Sequence, residues 1–302
     1  MTWHTIGFDK NKFFFETVIK NGQLSHAYLF TGQDMIGKRT FALELVQNLF
    51  KISLFRGSTS TRLSLYEVEP LNNPDVLFVN SANSESGQTI AIEDVRKIKN
   101  FISLSPYSAS PYKFVVIDNA YLMTVEAQNA LLKVLEEPNL SSILILVSAN
   151  SESLLPTIVS RCQEIKFQPH SQTVIKIFLA DFKLSKTKID FLTDFANGRI
   201  GLIKKIIDEK SFDEVKESVE EVMYLIKSDI NERLTIAQKL TDEKNKAELP
   251  KKVLYWMLYL RMRLNEPKTH KILKNLLVLY EVINKPQFNQ RLALENFLVS
   301  LA

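Results

Sequence analysis

Short apolar runs alternate with longer segments of mixed polarity through the first half of the chain. Five of these runs are rich in β-branched and aromatic residues and have the length of strands, at Ala27–Thr31, Val76–Val79, 114–118, 143–148 and 163–167. Strands that alternate with helices are typical of a parallel sheet covered by helices. The pattern therefore predicts one α/β domain with a five-stranded parallel sheet.

The segment 124–137 shows the pattern of the intervening helices. Its apolar residues share the helical spacing i, i+3, i+4, i+7 and i+8, at Ala127, Ala130, Leu131, Val134 and Leu135. Thr124 is of a type that caps helix N-termini, and Pro138 ends the helix. We therefore predict a helix between these two residues that packs on the sheet.

After Pro169 the strand pattern stops, and the rest of the chain has the pattern of helices separated by polar, Gly or Pro breaks. The last predicted helix has one apolar face, made by Leu294, Phe297, Leu298 and Leu301. The sequence thus predicts an α/β domain over 1–168, a small helical lid domain over 169–208 and an all-α collar domain over 209–302. A stretch rich in Ser and Thr, 56–65, is predicted to be a surface loop.

Composition and charge are those of a globular protein with several domains. The chain has 302 residues, 45% hydrophobic and 24% charged, with a formal net charge of +4. No apolar run reaches the ~18 residues of a membrane-spanning helix, and the start lacks the zones of a signal peptide. We expect a cytoplasmic protein with no membrane partner. Lys and Glu are interleaved, which argues against a dedicated basic groove but allows phosphate contacts inside a larger assembly.

Cys162 is the single cysteine, which excludes an internal disulfide and a thiolate zinc cluster. The four histidines stand far apart, at positions 4, 26, 170 and 270. Their spacing is not that of metal ligands, so we expect no metal held by side chains alone.

The first predicted strand is followed by GQDMIGKRT, which matches the P-loop pattern G-x-x-x-x-G-K-[ST] at every position but the last. In this pattern Gly32 and Gly37 let backbone N–H groups approach phosphates, and Lys38 reaches the β- and γ-phosphate oxygens. Arg39 replaces the hydroxyl that binds Mg²⁺, and a guanidinium cannot be a ligand for a cation. Thr40 stands one residue further on and points elsewhere on the helix. Two interpretations stay open: weak or occluded nucleotide binding, or a loop that keeps its shape without nucleotide.

Asp118 and Asn119 follow the third predicted strand. In P-loop proteins an Asp at this place holds Mg²⁺ through water, and a Glu after it polarises the attacking water. The neutral amide of Asn119 cannot accept a proton. Taken alone, this dipeptide is also typical of an ordinary turn, but its place after a P-loop strand favours a degenerate nucleotide site.

Ser160, Arg161 and Cys162 precede the last predicted strand. An Arg at a helix end on the surface can reach across an interface and neutralise charge that develops on the γ-phosphate of another subunit, as arginine fingers do. The alternative is a surface Arg in an ordinary salt bridge. The position after the other motifs favours the arginine finger.

These motifs, in this order, resemble those of the clamp-loader branch of the AAA+ proteins. The resemblance rests on SHAYLF at 25–30, AQNALLKVLEEP at 127–138 and SRC at 160–162, and it covers about the first two thirds of the chain. In this family a sensor 1 group lies where this chain has 148–150, although such Ser and Asn residues are also common in loops. A sensor 2 Arg stands where this chain has Gly201. Because Arg39, Asn119 and Gly201 replace three residues of the active motors, the chain resembles the clamp-loader subunits that do not hydrolyse ATP.

The resemblance implies a subunit of the DNA polymerase III holoenzyme, a DNA-directed DNA polymerase. Gamma/tau and delta subunits are the implied partners in a hetero-oligomeric ring that loads the sliding clamp onto primed DNA. Arg161, with Ser160 beside it, would complete the ATP site of a neighbouring gamma/tau subunit. The degenerate nucleotide site would comprise Gly32, Gly37, Lys38, Thr40 and Asp118. ATP could bind there without hydrolysis, and no cofactor would be required.

Many relatives in this family carry a four-cysteine zinc module after the P-loop helix. The stretch 51–70 contains neither Cys nor His, so zinc is not expected. Two other functions stay open. One is an active ATPase that manages with Lys38, Thr40 and Asp118, such as a divergent gamma/tau-like motor. The other is a scaffold outside replication that uses an inert P-loop fold.

Overall fold

Five parallel strands form the sheet of the computed structural model: β1 (Ala27–Thr31), β2 (Val76–Val79), β3 (Lys113–Ile117), β4 (Ser142–Ser148) and β5 (Gln163–Lys166). Their order across the sheet is β2-β3-β4-β1-β5. The three central strands are buried along their whole length, as expected of parallel strands covered on both faces. The predicted sheet is confirmed, with strand ends that differ by at most one residue. Asp118, predicted to end β3, lies in the turn after it.

The structure describes residues 1, 3–50, 73–81, 84, 89–107, 111–283 and 288–301. The predicted surface loop 56–65 lies outside these ranges, and so does the stretch 51–70 on which the expectation about zinc rests. Among the described residues, no helix is both long and apolar enough to cross a membrane.

By its internal contacts the chain divides into two units. One consists of Met1–Lys183 with Gly198–Leu202, and the other of Leu184–Asn197 with Ile203–Ala302. The division into three domains that the sequence suggested stays a prediction.

Helices cover both faces of the sheet in the first unit. α1 (Asp9–Lys20) and α2 (Lys38–Phe50) lie over one face, and α3 (Ile92–Ser103), α4 (Val125–Glu136) and α5 (Pro156–Val159) over the other. Along β1, Tyr28 and Phe30 lie on the face that α1 and α2 cover, and Ala27 and Leu29 lie on the face that α3, α4 and α5 cover. This alternation follows from the two-residue period of a strand. α6 (Gln172–Leu179) follows β5.

α4 agrees with the helix predicted between Thr124 and Pro138. Thr124 caps it, because its side chain accepts a hydrogen bond from the N–H of Ala127 at 3.2 Å. Four of the five residues on the predicted apolar face are buried, namely Ala127, Leu131, Val134 and Leu135. They pack under β3 and β4 in the same core as α3.

Seven further helices follow within the described residues: α7 (Lys186–Ala196), α8 (Ile200–Asp208), α9 (Phe212–Lys227), α10 (Ile230–Thr241), α11 (Leu249–Met262), α12 (Thr269–Ile283) and α13 (Gln290–Val299). α9 to α13 surround one core that includes Trp256. Leu294, Phe297 and Leu298 of α13 are buried in it as predicted, and Leu301 packs against it just after the helix ends.

Candidate functional site

Residues 32–37 form the loop between the carboxyl end of β1 and the N-terminus of α2. Gly32 and Gly37 have φ angles of +145° and +106°, which residues with side chains rarely adopt. A Cβ atom on Gly32 would lie 2.3 Å from the carbonyl oxygen of Phe167, the residue after β5. Glycine is therefore required at the first position of the loop by its conformation and by the close approach of the chain after β5.

Lys38, the first residue of α2, turns its side chain back into the loop. Its Nζ atom donates hydrogen bonds to the carbonyl oxygens of Gly32 and Gln33, at 2.5 and 2.7 Å, and lies 3.7 Å from Asp34. Only 5% of Lys38 is exposed, and this burial lowers the pKa of its ammonium group. The ammonium thus holds the loop from inside, and its contact with a phosphate stays a prediction.

Arg39 and Asp118 form an ion pair between α2 and the turn after β3. Arg39 Nη1 lies 3.8 Å from Asp118 Oδ2, and the guanidinium lies over the ring of Phe78 at 4.7 Å. Burial raises the pKa of Asp118, and the charge of Arg39 acts in the opposite direction. Arg39 therefore supplies a positive charge beside the carboxylate that the sequence associated with Mg²⁺.

The donor set at this place does not fit Mg²⁺, which prefers oxygen ligands. Arg39 brings a cation where the P-loop pattern has a hydroxyl. Asn119, at φ +52°, precedes a 3-10 turn (Ala120–Leu122) and brings an amide where a motor has a carboxylate. Thr40 is partly buried on α2. Phosphate is a better fit, because the first turn of a helix presents N–H groups without intrahelical acceptors.

Two carbonyl groups of the loop are bound by residues that lie far along the chain. The N–H of Gly201 donates to the Met35 oxygen at 2.7 Å, and Nε2 of His170 lies 2.8 Å from the Ile36 oxygen. Burial lowers the pKa of His170, which favours the neutral ring. Nε2 carries the proton of this contact, because a carbonyl oxygen can only accept. A Cβ atom on Gly201 would lie 2.7 Å from the Met35 oxygen. The position that the resemblance gives to the sensor 2 Arg therefore accepts no side chain without a shift of the backbone.

The predicted sensor 1 region closes on itself after β4. Ser148 Oγ donates to the Asn150 carbonyl oxygen at 2.6 Å, and Asn150 Oδ1 accepts the N–H of Ser153 at 3.1 Å. These bonds are those of a local turn, and a role in sensing phosphate stays a prediction.

Arg161 follows α5 and lies at the surface, with 37% of its side chain exposed. Nη1 donates to the carbonyl oxygen of Thr157 at 3.0 Å, and Nη2 lies 3.0 Å from Oε1 of Glu136 at the end of α4. Ser160 Oγ donates to the same Thr157 oxygen at 3.1 Å. The structure thus places Arg161 at a helix end on the surface, in a salt bridge with its own chain.

Arg161 and the P-loop lie at opposite ends of the parallel strands: Arg161 is at their amino ends and the P-loop at their carboxyl ends. β1 and β5 are parallel, with Tyr28 opposite Gln163 and Thr31 opposite Lys166. The P-loop begins directly after Thr31, whereas Arg161 stands two residues before Gln163. Since each strand residue adds about 3.3 Å, at least about 10 Å of strand separates the two ends. Of the predicted site residues, Gly32, Lys38 and Asp118 are therefore brought together, and Arg161 is set apart from them.

Gln128 is a buried polar residue that the sequence analysis did not single out. It is buried on α4, where its Nε2 donates to the Met123 oxygen and its Oε1 accepts the N–H of Leu155. It thereby links the segment after β3 with the segment before α5. The available signal was a Gln on the apolar face of the predicted helix, at i−3 from Leu131.

Cys162 provides a test of this part of the fold. It packs against the core of α3, α4 and α5, and burial raises the pKa of its thiol from 9.0 to about 12. Because only the thiolate reacts, we expect iodoacetamide at pH 8.5 to alkylate the folded protein at least ~10-fold more slowly than the urea-unfolded chain. The unfolded chain loses the thiol proton near pH 9, whereas the folded protein keeps it up to about pH 12. The stability that comes from burying the neutral thiol is therefore lost as the pH rises from 9 towards 12. Mass spectrometry would follow the reaction, and equal rates would contradict the burial of the thiol.

A parallel sheet of this order with a P-loop after β1, an exposed Arg before β5 and a helical second half define an AAA+ protein of the clamp-loader kind. The sequence profile of the family described as DNA polymerase III, delta subunit, matches residues 9–171, more than half of the chain. The chain belongs to this family. Its resemblance to the clamp-loader proteins of DNA replication is thereby confirmed.

Individual relatives agree with this assignment. The chain is 30% identical over 207 residues to DNA polymerase III subunit delta' of Bacillus subtilis, and the aligned segment covers 68% of this chain and 60% of that protein. It is 26% identical over 213 residues to DNA polymerase III subunit gamma/tau of Mycoplasma pneumoniae, and the aligned segment covers 68% of this chain and 30% of that protein. The matched part thus spans less than two thirds of the length of these relatives.

Among solved structures, a gamma subunit-related protein of DNA polymerase III from Thermotoga maritima superposes with a TM-score of 0.53 at 22% identity. The superposition covers 94% of this chain and 97% of that protein. At this identity the likeness supports the fold alone.

Proposed function

We propose that this chain is a delta-prime-type clamp-loader subunit that does not hydrolyse ATP and supplies Arg161 to the ATP site of a neighbouring gamma/tau-type subunit. The observation that carries the proposal is the exposure of Arg161 at the end of the strands opposite to the chain's own P-loop. From that end its guanidinium is accessible to another molecule and not to the phosphates of its own loop.

Arg161 would act on the charge that develops during phosphoryl transfer. Its guanidinium is always charged and presents a planar fork of donors that matches phosphate oxygens. Charge on the transferred phosphoryl group is stabilised by such a cation in the transition state. Ser160 would support this role through the Thr157 carbonyl group, which it shares with Arg161.

The chain's own P-loop has a structural role in this proposal. Lys38 holds the loop carbonyl groups, and Arg39 provides beside Asp118 the positive charge that a metal ion would bring. Bound ATP would place its phosphates at the first turn of α2, and without a carboxylate at Asn119 no group polarises an attacking water. Neither zinc nor any other cofactor is required.

The partners in this proposal come from the family and its relatives. They are gamma/tau and delta subunits in a hetero-oligomeric ring, which acts on the sliding clamp and primed DNA in the cytoplasm. The helices after residue 208 would form the collar through which the subunits oligomerise. The net charge of +4 is compatible with phosphate contacts inside such an assembly.

The test is replacement of Arg161 by Ala in a complex reconstituted with gamma/tau and delta subunits, followed by ATP hydrolysis and clamp-loading assays with primed DNA. Arg96→Ala is a matched control, because Arg96 is another exposed Arg in an ion pair with a Glu of the same unit. Unchanged hydrolysis in Arg161→Ala would remove the proposed role.

An active ATPase is the second candidate function, since Lys38 and Asp118 keep the residue types of a motor site. We expect the purified chain to release phosphate from ATP with Mg²⁺ no faster than its Lys38→Ala variant. The physical reason is the ion pair of Arg39 with Asp118, which opposes a second cation there. The measurement is colorimetric phosphate release, and turnover that Lys38→Ala abolishes would establish the ATPase instead.

A further inference from the structure

Glu136, the last residue of α4, is the ion-pair partner of Arg161. Its Oε1 lies 3.0 Å from Arg161 Nη2, and 48% of its side chain is exposed. The contact depends on the packing of α4 against α5, since the two residues belong to separate segments of the chain. Its position raises the question of why a carboxylate stands at the end of this helix.

Glu136 is placed unfavourably for its own helix. The C-terminus of a helix carries partial negative charge, so a carboxylate there is repelled by the last carbonyl groups. Glu137 adds a second negative charge, and Lys133 is the basic residue of the last turn. The guanidinium of Arg161, which belongs to a segment outside α4, supplies a positive charge opposite the carboxylate of Glu136.

α4 gives this carboxylate a rigid support. Val134 and Leu135, in the last turn, are buried in the core under the sheet. Gln128 ties the helix to the segment before α5, because its Oε1 accepts the N–H of Leu155 at 2.8 Å. The position of Glu136 relative to α5 is thus fixed by buried contacts.

Arg161 itself has a long side chain on a turn after a four-residue helix. Three contacts hold its guanidinium: the Thr157 oxygen and the Ser160 hydroxyl at Nη1, at 3.0 and 3.4 Å, and the Glu136 carboxylate at Nη2. Without Glu136 the remaining contacts come from α5 and Ser160, next to Arg161 in the chain. The ion pair with Glu136 is therefore the contact that joins the guanidinium to α4.

We propose that Glu136 is a positioning residue, which holds the Arg161 guanidinium in the conformation from which it reaches a neighbour's γ-phosphate. This inference rests on the proposed function of Arg161. Fixing a flexible side chain in advance removes the loss of its rotamer entropy from the catalytic step. Because Nη2 carries two N–H groups, it can keep its contact with Glu136 and donate the second N–H to a phosphate oxygen.

The test uses the first turnover of ATP hydrolysis, started by mixing the reconstituted complex, clamp and primed DNA with ATP in excess over its sites. Glu136→Ala is expected to slow the site that faces Arg161 about three- to tenfold at saturating ATP, because orientation is lost while the charge remains. The ATP concentration for half-maximal rate is expected to be unchanged, since the neighbour's P-loop binds the nucleotide. Glu136→Gln keeps an oxygen acceptor at the same place and is expected to recover most of the rate. Glu137→Ala, the matched control on the next exposed residue, is expected to behave as wild type.

A double-mutant cycle separates positioning from a structural effect. In the Arg161→Ala background, Glu136→Ala is expected to cause no further loss, because it acts only through the guanidinium. A further loss in that background, or a wild-type rate in Glu136→Ala alone, would overturn the inference and leave the role of Arg161 intact. If Arg161→Ala itself has the wild-type rate, the proposed function fails first. Thermal unfolding of each variant is expected to match wild type, since both side chains are exposed.

Discussion

Arg161→Ala is expected to slow hydrolysis at the neighbouring ATP site of the reconstituted complex by about 10³-fold, the lower end of what an arginine finger contributes. Alanine removes the guanidinium, so the charge that develops on the γ-phosphate is no longer neutralised. Assembly of the complex is expected to be unchanged. The pair that Arg161 forms with Glu136 is exposed, and such pairs contribute at most about 1 kcal/mol to stability.

Rapid-quench measurement of the first turnover, with ATP in excess so that every site is filled, can resolve this effect site by site. Any site that faces another subunit's Arg continues to hydrolyse, so the fast phase is expected to lose the amplitude of one site and to keep its rate. Arg161→Lys keeps the charge but not the planar fork, and we expect an intermediate rate. Arg96→Ala is expected to leave all phases unchanged. A full fast phase in Arg161→Ala would show that Arg161 serves no ATP site in the complex.

The sheet was predictable because its strands are buried on both faces. β1, β3 and β4 contain continuous apolar runs, at 27–30, 114–117 and 143–147, and this pattern can be recognised without knowing which strands are neighbours. The N-cap of α4 was predictable because it is a local contact, between Thr124 and Ala127, which are three residues apart. The predicted end of a strand was wrong by one residue where a polar residue, such as Asp118 after β3, lies in the following turn and not in the sheet.

The candidate site was only partly predictable, because its geometry depends on contacts between distant residues. The motif predicts Lys38 as a phosphate ligand, but its binding to the Gly32 and Gln33 carbonyl groups follows from the folded loop. His170 contacts the Ile36 oxygen across 134 residues of sequence. The close approach of Gly201 to Met35 is likewise a tertiary contact. No periodicity or spacing in one sequence encodes such pairs.

The same loop explains why a P-loop pattern can serve a protein in which we propose no hydrolysis. Gly32 lies where the chain after β5 approaches the loop, and Lys38 holds the loop from inside. Met35 accepts the N–H of Gly201. Each of these contacts stabilises the first unit whether or not nucleotide binds, so the motif has a structural use of its own.

Gly32→Ala tests this structural use, and we expect it to lower the free energy of unfolding by about 3 kcal/mol or more. A residue with a side chain is strained at φ +145° by about 1–3 kcal/mol. A methyl group 2.3 Å from the Phe167 carbonyl oxygen forces a backbone shift that costs about 1–3 kcal/mol more. For a unit of this size the expected fall in Tm is roughly 6–12 °C.

Gly22→Ala is the control that separates crowding from backbone conformation. Gly22 also has a positive φ, +66°, but a Cβ atom there would meet nothing within 4 Å, so only the strain of about 1–2 kcal/mol applies. Urea unfolding followed by circular dichroism would compare the two variants with wild type. If Gly32→Ala were no less stable than Gly22→Ala, the approach of Phe167 to the loop would not contribute to stability. The loss specific to Gly32 therefore measures how little room the chain after β5 leaves beside the P-loop, independently of any nucleotide.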